Sequence, residues 1–235
     1  MVLKIERKYF IAIIISVVAV FLVTVIGGNK KEVINNLPIS GKVIVVDAGH
    51  GGFDGGAVSK DGISEKNITL SISKYLKKYL EQSGAKVIMT RSSDTALNSD
   101  DSVKIRQKKR SDLLKRREIA NTSGGDAFIS IHINFFSESK YKGAQVFYES
   151  KNPDSMKLAA SVQEKMIDVL DKENKRTIAK IADNKILYQD LKVPSILAEC
   201  GFLSNPDEAM LLNTEEYREK VAYSIYLGIL EYFSK

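Results

Sequence analysis

The sequence predicts an α/β fold: a mostly parallel twisted sheet of about six strands with helices on both faces, plus an N-terminal transmembrane helix. Three observations carry this expectation. Short apolar runs rich in β-branched residues recur at 43–46, 86–90, 127–131 and 195–198, the mark of strands buried on both faces. Segments of helical period separate them, so successive strands need crossovers and pair in parallel. Ahead of all this, residues 10–26 form an uncharged apolar run broken only by Ser16 and Thr24.

That run follows Lys4, Arg7 and Lys8 and is near the shortest length that spans a bilayer. It ends in Ile26-Gly27-Gly28, with no small-residue cleavage pattern of the usual kind. Residues 1–28 therefore read as an uncleaved signal anchor, with a cleaved signal peptide as the alternative. Basic residues before the run place the N-terminus inside and the rest of the chain outside the cytoplasm. Residues 29–41 are polar, contain Pro38 and read as a linker. Residues 42–235 are then one domain of ordinary size.

Within the domain, a helix over 65–83 carries Ile68, Leu70, Ile72, Tyr75, Leu76, Tyr79 and Leu80, mostly along one stripe, and Gly84 stops it. Residues 86–90 form the second strand. A loop leads to a very basic helix over 103–121, whose charge reads as a solvated face or as a contact for anionic wall polymer or lipid. The third strand, 127–131, ends at His132. Residues 145–148 read as an edge strand and 153–170 as a helix with Pro153 in its first turn. Residues 186–188 read as a short strand, and 195–198 as a buried one ending at Glu199. Helices near 206–212 and 215–233 close the chain.

Net charge of +6 and a pI near 9.1 suit an anionic setting such as a phospholipid surface or cell-wall polymer. No nucleic-acid recognition motif accompanies the charge. A single cysteine, Cys200, excludes an internal disulfide. Gly49-His50-Gly51 begins like a dinucleotide fingerprint, but Asp54 stands where its last glycine is required.

Ligands of such sheets bind beyond the carboxyl ends of the strands. His50, His132 and Glu199 follow three buried strands, and Glu65 opens the first crossover helix at that same edge. The chain has only these two histidines. Two His and one Glu form a zinc set for hydrolysis, water taking the fourth position, and a second glutamate then serves as general base. Blander readings stand beside this one. The histidines can be hydrogen-bonded structural residues, Glu65 a first-turn carboxylate favoured by the helix dipole, and Glu199 a satisfied buried acid. Cys200 reads as a small buried hydrophobe that strand alternation turns away from Glu199.

These residues lie in DAGHGGFDGGA, ISEKNITL, the Met89-Thr90-Arg91 strand end, REIAN at 117–121, SIHIN at 130–134 and AECGFLSNPDE at 198–208. With them, residues 42–233 resemble the zinc-dependent N-acetylmuramoyl-L-alanine amidases called amidase type 3. The resemblance implies zinc held by His50, Glu65 and His132, with Glu199 as catalytic carboxylate. The implied reaction cleaves the amide between the lactyl group of N-acetylmuramic acid and L-alanine of the peptidoglycan stem. The N-terminal anchor and DGGAVSKDGISEKNITL most resemble the germination-specific amidases of endospore formers. That implies a role in the spore envelope, in making muramic-δ-lactam in the cortex by removing the peptide before a deacetylase acts. Ala48 departs from the family pattern, which has proline there.

About ten residues separate His132 from Gly143, too few for a helical insert that blocks the metal in regulated relatives. Control is then expected from expression, weak metal binding or an extracytoplasmic partner, such as an envelope lipoprotein that stabilises the metallated form. Two other classes compete: a catalytically inactive peptidoglycan-binding module of amidase descent, and a cysteine hydrolase built on Cys200.

Overall fold

The computed structural model describes residues 37–98 and 102–235. The apolar run at 10–26 and the linker up to residue 36 lie outside the described residues. Among those described, no helix is long and apolar enough to cross a membrane.

The chain runs β1 (Val43–Ala48), α1 (Glu65–Gln82), β2 (Lys86–Met89), α2 (Ile105–Thr122), β3 (Ala127–Asn134), β4 (Gln145–Tyr148), α3 (Pro153–Leu170), β5 (Ala179–Lys180), a 3-10 turn (Ile186–Tyr188), β6 (Ser195–Phe202), α4 (Pro206–Asn213) and α5 (Glu215–Ser234). The strands form one sheet in the order β2-β1-β3-β6-β4-β5. β2, β1, β3 and β6 are mutually parallel, as helical crossovers require.

Three local expectations change. β4 is not at the edge; it pairs antiparallel with β6 on one side and parallel with the two-residue β5 on the other. Ile186–Tyr188 is no strand, because Tyr188 N–H donates back to Lys185 O at 3.0 Å and closes a turn. Leu187 and Tyr188 reach the core through side chains instead. Leu37–Gly41, expected as the end of the linker, folds onto the domain with Ile39 fully buried.

Strand alternation assigns the two faces. Ile44, Val46, Ile129, Ile131, Ile196 and Ala198 join the larger core beneath α1, α3 and α5, together with Cys200. Each fully buried Ile or Leu there contributes about 2 kcal/mol. α1 meets this core through Ile68, Ile72, Leu76 and Leu80, the stripe its sequence period predicts. α3 starts where Asn152 accepts from Asp154 N–H and Pro153 occupies the first turn. It crosses α5 at Gly228, where a Cβ would lie 2.4 Å from the Val162 Cα.

The opposite face carries Val45, Phe128 and Leu197 and is covered by α2 and the 3-10 turn. The residues on α2 that turn inward are Lys108, Asp112, Arg116 and Ala120. A helix with so polar an inner stripe needs partners on the sheet, and the end of β1 supplies them.

Candidate metal centre

β1 ends in Asp47-Ala48-Gly49-His50, and the chain must turn sharply at the sheet's carboxyl edge. Two buried arginines hold that turn by its carbonyls. Arg91 donates from Nε to Ala48 O at 2.8 Å and from Nη2 to Gly49 O at 2.8 Å. Arg116 donates from Nη1 to Ala48 O at 2.7 Å and from Nη2 to His50 O at 2.6 Å. Such planar forks fix position as well as charge. His50 sits at φ +61°, sparsely populated for a non-glycine residue, and the clamp around it sustains that strain.

Arg116 is itself paired with Asp47 at 2.7 Å and Asp112 at 2.6 Å. Burial pushes the Asp47 carboxyl upward, but the Arg116 charge and the Ser130 and Thr90 hydroxyls outweigh it and hold it below its usual range.

His50 Nδ1 lies 2.9 Å from Asp54 Oδ2, and Lys109 pairs with Asp54 Oδ1 at 2.8 Å. This leaves His50 Nε2 facing Glu65 Oε2 at 3.2 Å. From β3, His132 Nδ1 meets Glu65 Oε1 at 3.0 Å. Glu65 opens α1 and is anchored by the N–H of Ala57 at 2.8 Å and of Ile133 at 3.0 Å. One donor atom from each of His50, Glu65 and His132 lies within 4.8 Å of the others. Burial works against charge on Glu65, yet hydrogen bonds from His132 and His50 keep it ionised, far below the usual range. Burial likewise lowers His50, but Asp54 and Glu65 prevail and raise it to about 9.

The donors fit a tetrahedral zinc site with one open position. They are two imidazole nitrogens and a carboxylate, all half-buried or buried, with Asp54 orienting one imidazole from behind.

Glu199 sits beside them. His132 and Glu199 fall inside β3 and β6, not past their ends, and are register partners. Glu199 has a buried Oε2 with no hydrogen-bond partner among the described residues. Burial pushes its carboxyl up to about 7, against the pull of nearby His132. Two carboxylates in one site are thus driven apart, Glu65 charged and Glu199 poised near neutrality. A cavity of about 300 Å³ opens over His50, His132 and Glu199, walled by Phe53, Leu113, Tyr188 and Leu197. Cys200 points to the opposite face, and burial pushes its thiol well above the usual value.

The structure therefore brings His50, Glu65, His132 and Glu199 together. Sequence reasoning missed Asp47, Asp54, Arg91 and Arg116. Asp54 had a signal, four residues after His50 inside the glycine-rich stretch. Arg116 had one too: Lys108, Asp112, Arg116 and Ala120 recur every four residues, a single helical stripe.

Comparison with known proteins identifies the family. A family model described as N-acetylmuramoyl-L-alanine amidase matches residues 44–231. The germination-specific N-acetylmuramoyl-L-alanine amidase of Bacillus subtilis is 43% identical over 200 residues, covering 85% of this chain and 83% of that protein. The CwlD amidase from Clostridioides difficile, solved in complex with the GerS lipoprotein, superposes with a TM-score of 0.79 at 45% identity. That match covers 82% of this chain and 98% of the other. AmiA of Escherichia coli is 29% identical over 234 residues, 82% of this chain and 76% of its own.

Proposed function

The chain belongs to the N-acetylmuramoyl-L-alanine amidase family, and from that premise we propose that it cleaves the amide between N-acetylmuramic acid and the L-alanine of peptidoglycan stems, in the spore cortex. The observation that carries the reading is the cluster of His50, Glu65 and His132 donors beside a buried, unpartnered Glu199 oxygen. Removing the peptide leaves a free lactyl carboxyl on the sugar. A deacetylase acting next would expose the amine from which muramic-δ-lactam closes.

Zinc held by His50 Nε2, Glu65 and His132 Nδ1 would supply the Lewis-acid charge that polarises the scissile carbonyl and acidifies water. Glu199 Oε2 takes the proton from the attacking water and passes it to the L-alanine nitrogen, making that nitrogen an amine leaving group. Burial raises its carboxyl above the usual range, which suits a group that takes and then gives up a proton. Asp54 holds the His50 ring, and the Arg91 and Arg116 clamp holds the turn beneath it. Glu65 keeps its charge because hydrogen bonds from His132 and His50 outweigh its burial, while the N–H groups of Ala57 and Ile133 hold it in place.

The enzyme acts outside the cytoplasm, tethered through residues 1–28, with an envelope lipoprotein as partner. Support for the partner is that the Clostridioides difficile relative was solved with one. Residues 135–144, after His132, hold no helix, so no helical insert there covers the site, and control falls to expression, a partner or weak metal binding. The reading is tested by incubating purified peptidoglycan with the zinc-supplemented protein. New N-terminal L-alanine on released peptides is expected; muramic-acid reducing ends in its place would reject the reading.

A further inference from the structure

The cleft continues past the metal-ligating residues. The cavity of about 300 Å³ over Glu199 adjoins a second of about 260 Å³, and the two share Lys185 and Tyr188 as wall. The 3-10 turn and the residue before it thus form a saddle between two hollows.

The charges around the saddle can be paired off. In the first cavity Arg116 is spent on Asp47 and Asp112, and Lys109 on Asp54. In the second, Asp190 faces Lys151 at 3.5 Å and Arg117 at 4.0 Å. Glu149 there accepts the backbone N–H groups of Lys151 and Asn152. Asp183 stays exposed at the second cavity's rim. Among the described residues the Lys185 ammonium has no hydrogen bond or ion pair, and it is exposed at the mouth of both cavities.

Beside it Tyr188, only 7% exposed, turns its buried hydroxyl inward toward Ser130 and closes the floor of the saddle. Burial pushes Tyr188 well above its ordinary value, so the hydroxyl stays a neutral donor. The saddle therefore presents one exposed cationic donor, Lys185, beside the residue that would protonate the leaving amine.

We propose that the stem peptide leaves the scissile bond across this saddle, and that Lys185 pairs with a free carboxylate on the residue following L-alanine. This rests on the amidase reading above. Lys185 lines the same cavity as Glu199 and its charge acts on that carboxyl, so a peptide leaving the site at about 3.3 Å per residue passes this wall just beyond the leaving nitrogen. The rim carboxylate of Asp183 disfavours an anion further along, which keeps the charged contact at Lys185.

The test uses the full-length, zinc-supplemented chain and two muropeptides differing only in whether that carboxylate is free or amidated. Lys185→Ala is expected to raise KM for the free carboxylate about ten-fold, the loss of one charge-assisted hydrogen bond, with kcat unchanged. The amidated substrate should be unaffected, and Lys185→Arg should restore most of the preference. Equal losses on both substrates, or a fall in kcat, would mean that Lys185 acts through the charge on Glu199 and would overturn the proposal. So would no change on either. If the wild-type chain, its bound zinc verified and the envelope lipoprotein present, cleaves neither peptide, the amidase reading itself fails and takes this inference with it.

Discussion

Gly49 has no room for a side chain. A Cβ there would lie 2.5 Å from the His132 ring and 2.7 Å from Ile131 O. Because Gly49 N–H also donates to that carbonyl at 3.0 Å, the turn cannot back away from β3. Gly49→Ala is expected to cost about 1–3 kcal/mol by overpacking, and to displace His132 enough to lose zinc. Urea unfolding read alongside zinc content checks both; a stable variant with full zinc would show that the contact is slack. Asp54 makes a separate case. It is partly exposed and holds His50 Nδ1 at 2.9 Å. Asp54→Asn should fold normally yet bind zinc about 10–100-fold more weakly, as measured by chelator competition. Unchanged affinity would reduce Asp54 to a partner of Lys109.

At the scale of elements, α2 shows where periodicity misleads. α1 was legible because its inward stripe is apolar. The inward stripe of α2 is Lys108, Asp112, Arg116 and Ala120, so a hydrophobic-pattern reading turns the helix inside out and calls its charge solvated. The packing of Arg116 against Asp47 overrides that pattern. Arg116→Met should destabilise by about 3–5 kcal/mol, since it leaves Asp47 buried and unpaired. The pH dependence has a definite sign. The Asp47 carboxyl is lowered in the fold from an ordinary value of 3.8, so its contribution is complete above that value. It is lost as pH falls through the lower folded value, because the unfolded chain then binds the extra proton. The stability gap between wild type and Asp47→Asn, from urea midpoints at a series of pH values, should therefore narrow below 3.8. A gap that widens in acid would contradict the pairing. Strand lengths were less legible than strand positions, because β3 and β6 extend through His132 and Glu199 on pairing with each other.

For the whole molecule, strand-helix alternation made the parallel core of the sheet legible. The antiparallel insertion of β4 and the strand order come from pairings between distant segments, which no local pattern records. The candidate site was legible because the four residues proposed to carry it sit at one predicted edge; its supporting arginines were not, because they arrive from α2 and from the end of β2. With two imidazoles sharing one carboxylate over a glycine-rich turn, the isolated protein should bind less than one equivalent of zinc, and an envelope lipoprotein should raise that. Metal analysis of the chain with and without the lipoprotein decides this, full loading alone being the contrary result. The central claim is a metal site with a separate proton carrier. The direct measurement is zinc content together with release of peptides bearing N-terminal L-alanine, for wild type and Glu199→Gln in zinc-supplemented buffer. Equal zinc in both, with peptide released only by wild type, is the expected result. Release by Glu199→Gln at the wild-type rate, or by zinc-free wild type, would contradict it.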